Sequence, residues 1–223
     1  MNPRLWAALD TVRDPELDEP VTELGFVHSA TLAEGHAEVR LRLPTYFCAP
    51  NFAYLMVADA HDAVTAVEGV TSVDIRLDDH FASEEINAGV AGQAGFEGTF
   101  PTEAIGELDE LRLIFRRKAY LAGLDRLGTK LVQDGRTPSE IAGLTLGDVP
   151  ESPVRSSLLR RRRDLGFDCT PDAPLLVDEK GVVIPAGEAA LRLRFARAVR
   201  ISIDGNAGLC RGLLQTRYSA VRY

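Results

Sequence analysis

Between Ala37 and Leu77 the hydrophobic pattern changes period twice, and this restricts the fold more than any other feature of the chain. Ala37, Val39, Leu41 and Leu43 alternate with Glu38, Arg40 and Arg42, the period of two expected of a strand with one wet face. From Asn51 onward, Phe52, Leu55, Met56, Ala60, Ala63 and Val67 recur at helical spacing. Gly69 ends that helix, and Val73, Ile75 and Leu77 return to alternation. Upstream, Phe26, His28, Ala30 and Leu32 alternate before a turn at Glu34-Gly35-His36. Pro3, with Asn2 as N-cap, starts a helix bearing Leu5, Ala8, Leu9 and Val12, and Pro15 closes it. The order helix, strand, strand, helix, strand predicts an α+β domain over residues 1–82, with helices on one face of a small sheet.

Residues 83–101 carry Gly89, Gly92, Gly95 and Gly98 but not the lysine and Ser/Thr of a phosphate-binding loop, so they read as a Gly-rich linker or lid. The remainder, 102–223, reads as an α-rich, partner-specific extension with a short β element. Leu108, Leu111, Phe115, Ala119 and Ala122 form a helical stripe. Thr137, Pro138 and Glu140 spell a capping box, and a further helix runs from about Ser152 to Gly166. Residues 175–184 suggest two short strands around a turn at Glu179–Gly181. The run Ala198-Val199-Arg200-Ile201-Ser202-Ile203 alternates like a strand and precedes a short helix through Cys210.

Several function classes are disfavoured. With 25 basic and 33 acidic residues the net charge is −8, which argues against nucleic acid as partner. No apolar run approaches the roughly 18 residues of a membrane span, and the N-terminus does not read as a signal peptide. Three cysteines are too few and odd in number for a disulfide framework, and predict reduced thiols in a cytoplasmic protein. Arg160–Arg163 read as a solvated helix face paired with nearby carboxylates. No nucleophile–base–acid constellation is legible, so the chain is not expected to be an enzyme.

Two places could carry chemistry. Asp14-Pro15-Glu16 sets two carboxylates around a fixed φ, either as ligands for one ion or as ordinary helix-ending acids. Cys48 sits where the strand pattern stops and the helical one starts. It is either a small core residue or a thiolate held near a helix N-terminus, with Thr45 in reach of the sulfur. His28, His36 and His61 are scattered, and His80 follows a strand end from which it could approach that site. Cys169 and Cys210 have no C-x-x-C partner, and a site assembled from all three cysteines is the lesser reading.

The run "VRDPELDEPVTELGFV", the strand pair and "LPTYFC" resemble the PaaD/SufT-like domain of iron–sulfur cluster assembly and targeting factors. The resemblance covers about residues 1–80. It implies that Asp14, Glu16 and Cys48 are metal-ligating residues, with Leu17 of the "DPEL" motif, Thr45 and His80 in support. Pro44 stands where the family has a threonine, and Ala49 intervenes before Pro50. The longer run "LRLPTYFCAPNFAYLMVADA" and the extension resemble accessory proteins of bacterial propane-type binuclear-iron monooxygenases. The resemblance thus implies a maturation factor that binds iron or an iron–sulfur cluster transiently and delivers it to a client metalloenzyme, a binuclear-iron monooxygenase subunit. A homodimer would supply further ligands. The alternative is a metal-free folding and assembly chaperone for such a subunit.

Overall fold

In this computed structural model, which describes residues 2–101 and 107–219, the first helix, α1 (Pro3–Leu9), starts as its sequence dictates. The Asn2 side chain accepts from the N–H groups of Arg4 and Leu5, and Pro3 occupies the first turn. The helix stops at Leu9, earlier than Pro15 requires. Residues 12–21 instead close a loop, with Val21 N–H donating to Val12 O at 3.0 Å and an isolated bridge from Arg13 to Pro20.

Strands β1 (Val27–Ala33) and β2 (His36–Arg42) form an antiparallel hairpin whose turn residues, Glu34 and Gly35, both have positive φ. A Cβ on Gly35 would lie 2.7 Å from Thr71 Oγ1, a second reason for glycine there. The expected alternation in β1 is interrupted by a bulge between Val27 and Ser29, so Val27 is buried and His28 exposed. Helix α2 (Pro50–Thr65) crosses to β3 (Ser72–Asp78), which pairs in parallel with β2 to give the order β1-β2-β3. Ala37, Val39, Leu41, Ile75 and Leu77 of the sheet pack with Ala53, Val57, Ala60 and Val64 of α2 in one core.

The stretch read as a linker or lid is helical: α3 (Ser83–Ala91) and α4 (Gly95–Thr99). Gly89 permits a close approach there, since a Cβ on it would lie 1.9 Å from Thr99 Oγ1. Tyr54 packs edge-on against Phe96, with centroids 5.3 Å apart. The expected boundary at 101/102 abuts residues 102–106, which lie outside the described residues.

By contacts, the chain forms two units, residues 1–109 with 206–223, and 110–205. It passes between them within α5 (Glu107–Gln133) and α8 (Ala189–Ser219). The second unit contains α6 (Pro138–Ala142), begun by the Thr137–Glu140 capping box, and α7 (Pro153–Asp164), capped by Ser152. Its core gathers Tyr120, Leu124, Leu127, Ile141, Leu146, Leu158 and Leu176. The β element at 175–184 is one bridge, Val177 to Val183, around a turn in which Asp178 Oδ1 accepts from Lys180 and Val182 N–H.

Two expectations about this half are corrected. The alternating run at 198–203 lies inside the 31-residue α8, whose buried residues Ala189, Ala196, Ile203, Ala207 and Leu214 recur at helical steps. The arginines of α7 are not all solvated: Arg161 and Arg162 are buried. Arg162 donates from Nε to Asp168 O at 3.0 Å, and from Nη1 to Pro174 O at 3.0 Å and Leu175 O at 3.2 Å. Carbonyl oxygens of the following loop, rather than surface carboxylates, make burial of that charge tolerable.

Candidate functional site

A cavity of about 160 Å³ lies at the β2–α2 junction, and Asp14, Glu16, Leu17 and Cys48 all border it. These residues come from two loops that the fold lays side by side. Arg42 N–H donates to Phe26 O at 2.8 Å, which ties the end of β2 to the segment following the Asp14 loop.

Asp14 is held by its own turn. Its Oδ1 accepts from the N–H groups of Glu16 and Leu17, both at 2.8 Å, so the ordinary turn-forming reading of Asp-Pro-Glu accounts for one carboxylate oxygen. Among the described residues no hydrogen bond reaches Oδ2, although Asp14 is only 7% exposed. Burial raises its pKa to about 6; the two N–H groups pull the other way and the nearby Glu16 charge adds to the rise. Glu16 Oε1 accepts from Asn206 Nδ2 at 3.1 Å.

Cys48 directly precedes Ala49, the N-cap of α2, with Pro50 at the first helical position. Its Sγ lies 3.3 Å from Thr45 Oγ1. That oxygen also accepts from Phe47 N–H at 3.2 Å, and either the hydroxyl or the thiol can donate in the contact between them. His80, which is buried, holds the Cys48 backbone. Ala82 N–H donates to its Nδ1 at 3.2 Å, so Nε2 carries the proton and donates to Cys48 O at 2.7 Å. Burial lowers the His80 pKa, and Arg217 acts in the same direction, against the Cys48 hydrogen bond. A neutral imidazole of fixed tautomer thus positions Cys48 rather than facing the cavity.

Sequence reasoning placed Cys210 in a site only through the lesser reading that joins all three cysteines. The end of α8 belongs to the first unit; Asn206, Cys210, Leu214 and Arg217 share one of its faces, and Cys210 borders the same cavity as Cys48. Burial pushes its thiol up to about 11, and Asp14, Cys48 and Glu16 push it the same way. The helical steps of four, four and three from Asn206 to Arg217 were the available signal. Cys169 is elsewhere, its Sγ donating to Phe167 O at 3.4 Å and Leu159 O at 3.7 Å. His28, His36 and His61 do not border the cavity.

Beside Cys48, three aromatics are exposed together: Tyr46, Phe47 at 78%, and Phe81. The Tyr46 and Phe47 ring centroids are 5.0 Å apart and those of Phe47 and Phe81 6.2 Å, and Phe81 N–H donates to Tyr46 O at 3.2 Å. The donor set suits iron in kind, since thiols and carboxylates open onto one space. Among the described residues, no three or more His, Cys, Asp and Glu side chains are gathered so as to hold a metal ion. Also among these, no helix is long and apolar enough to cross a membrane.

Residues 3–75 match the model of a family described as iron-sulfur cluster assembly protein. The match covers 73 of the 223 residues and includes Asp14, Glu16, Thr45 and Cys48, while His80 and Cys210 lie outside it. No curated protein and no solved structure matches the chain.

Proposed function

We propose, with an iron–sulfur cluster assembly domain at residues 3–75 as the premise, that this protein is an accessory factor which carries iron, as ions or as a cluster, to a client metalloenzyme. The observation that carries this reading is the convergence of Asp14, Glu16 and Cys48, all of that segment, on one small cavity. Iron is the cargo, and a carrier requires a site that opens. Few protein donors, with coordination positions left to the cargo's own ligands, would let the ion leave for a better-closed site. Cys48 would supply the soft ligand, held by Thr45 and His80, and Asp14 and Glu16 the hard oxygens. The client we propose is a binuclear-iron monooxygenase subunit, with the chain beyond residue 101 specific to it and the action cytoplasmic. The exposed Tyr46, Phe47 and Phe81 beside Cys48 favour a protein client, and serve equally a second reading, a metal-free assembly chaperone.

Anaerobic reconstitution of the full chain with iron(II) and sulfide separates the two. Cys48→Ala should fold as wild type, lower bound iron at least about tenfold and fail to activate a co-expressed binuclear-iron monooxygenase. If neither form binds iron and both activate the client, iron delivery is wrong and the chaperone reading stands. Phe47→Ser should leave bound iron and thermal stability unchanged and reduce client activation, because that side chain is already in solvent. Full activation by this variant would remove the aromatic group from the docking surface.

A further inference from the structure

We infer that Cys210 is the second thiol of the cargo site, and that Cys48 and Cys210 together take a thiophilic divalent cation, iron(II) in the function proposed above, on which this inference rests. Both cysteines border the same cavity of about 160 Å³, with the Met56 thioether as a third sulfur on its wall. The other polar side chains there are those of Asp14 and Glu16, and among the described residues no lysine, arginine or histidine lines the space. Two thiols and two carboxylates on one small volume form a mixed sulfur and oxygen donor set of the kind a thiophilic divalent cation accepts. The Asp14 side chain, 7% exposed and with Oδ1 taken up by its own turn, borders the same space.

Cys210 is held in place from both sides. Asn206 Nδ2 donates to Glu16 Oε1, Arg211 pairs with Glu19, and Arg217 Nη1 donates to Leu43 O at 3.1 Å. These contacts bracket Cys210 along α8 and tie that helix to both loops bearing the other donors. Cys169, with its thiol committed to backbone carbonyls, has no such setting. Binding is a proton exchange: the divalent ion forms two metal–sulfur bonds and two protons leave the thiols, with no change of oxidation state. Two thiolates leave coordination positions for solvent, a carboxylate oxygen or the client, as a releasable cargo requires.

The test uses the reduced full chain, without oxygen, titrated with cobalt(II) as a spectroscopic stand-in for iron(II). Wild type should show a sulfur-to-metal charge-transfer band. Cys48→Ser and Cys210→Ser should each cut that band to roughly half and weaken binding at least about tenfold, with both changes removing it and Cys169→Ser leaving it intact. A band lost in Cys48→Ser but undiminished in Cys210→Ser overturns this inference and leaves iron delivery by Cys48 standing. No band in wild type overturns both. A measurement needing no substitution is reaction of wild type with phenylarsine oxide, which bonds two thiols and releases one water. The adduct should link the peptides holding Cys48 and Cys210; an arsenical that links no such pair shows that the sulfurs do not meet, and ends the inference. A cobalt-binding pair together with a Cys48→Ala chain that still activates the client would instead end the delivery reading alone.

Discussion

Replacing Arg162 by leucine is expected to cost on the order of 3–5 kcal/mol, far above the ~0.5 kcal/mol typical of a surface arginine. The guanidinium is 2% exposed and donates to three loop carbonyls, Asp168 O, Pro174 O and Leu175 O. None of the three accepts another backbone hydrogen bond among the described residues. Leucine would fill part of the volume and leave those acceptors buried without donors, at about 1–3 kcal/mol each when relaxation is incomplete. Arg162→Lys should recover only part of the loss, because an ammonium cannot reproduce the planar fork that serves carbonyls on two sides. Urea denaturation of both variants measures this. A leucine variant within about 1 kcal/mol of wild type would mean that the loop at 168–175 is satisfied without Arg162.

Asp14→Asn is expected to stabilise the protein at neutral pH. The folded state raises the Asp14 pKa from 3.8 to about 6, chiefly through burial, so the native chain holds its proton more tightly than the unfolded one. The native state then carries the extra proton between about pH 4 and pH 6, and stability falls as pH rises through that window. Above it the ionised carboxylate costs about 3 kcal/mol, since each tenfold gain in proton affinity corresponds to about 1.4 kcal/mol. Asparagine can still accept from Glu16 and Leu17 N–H and never ionises, so the variant should be more stable by up to that amount at pH 7.5 and match wild type near pH 4. Denaturant melts at the two pH values decide it; an advantage independent of pH would place its origin in packing. The same substitution is expected to weaken iron binding, the usual trade when a site keeps a costly charge for its ligand.

The elements legible from sequence are those whose signals are local. The Asn2 cap and the Thr137–Glu140 capping box need only a few neighbouring residues, and the period changes between residues 37 and 77 reflect burial on one face. The bulge at Val27–Ser29 was hidden, because pattern alone cannot show where a strand gains a residue. Helix α8 was obscured for two reasons. Val199, Ile201 and Ile203 imitate a strand, and the buried stripe consists largely of alanines, which contrast weakly with their neighbours. At the site, Asp14, Glu16 and Cys48 were legible as neighbours only through the family resemblance, since nothing in their spacing joins two loops about 30 residues apart. The hold of His80 on the Cys48 carbonyl and the arrival of Cys210 depend on tertiary placement, across 32 residues in the first case.

The contacts made by the end of α8 also have a consequence in time. Asn206 and Glu16 are 190 positions apart, and Arg211 and Glu19 are 192. At about 5–20 residues per second, Cys210 leaves the ribosome roughly 10–40 s after Asp14. For that interval a nascent chain holds Cys48, Asp14 and Glu16 with one wall of their cavity unbuilt, and closure then requires a long-range contact of the kind that slows folding. The proposed cargo site is therefore assembled in two stages: Asp14, Glu16 and Cys48 are synthesised early, and the thiol proposed to complete it follows 162 residues after Cys48.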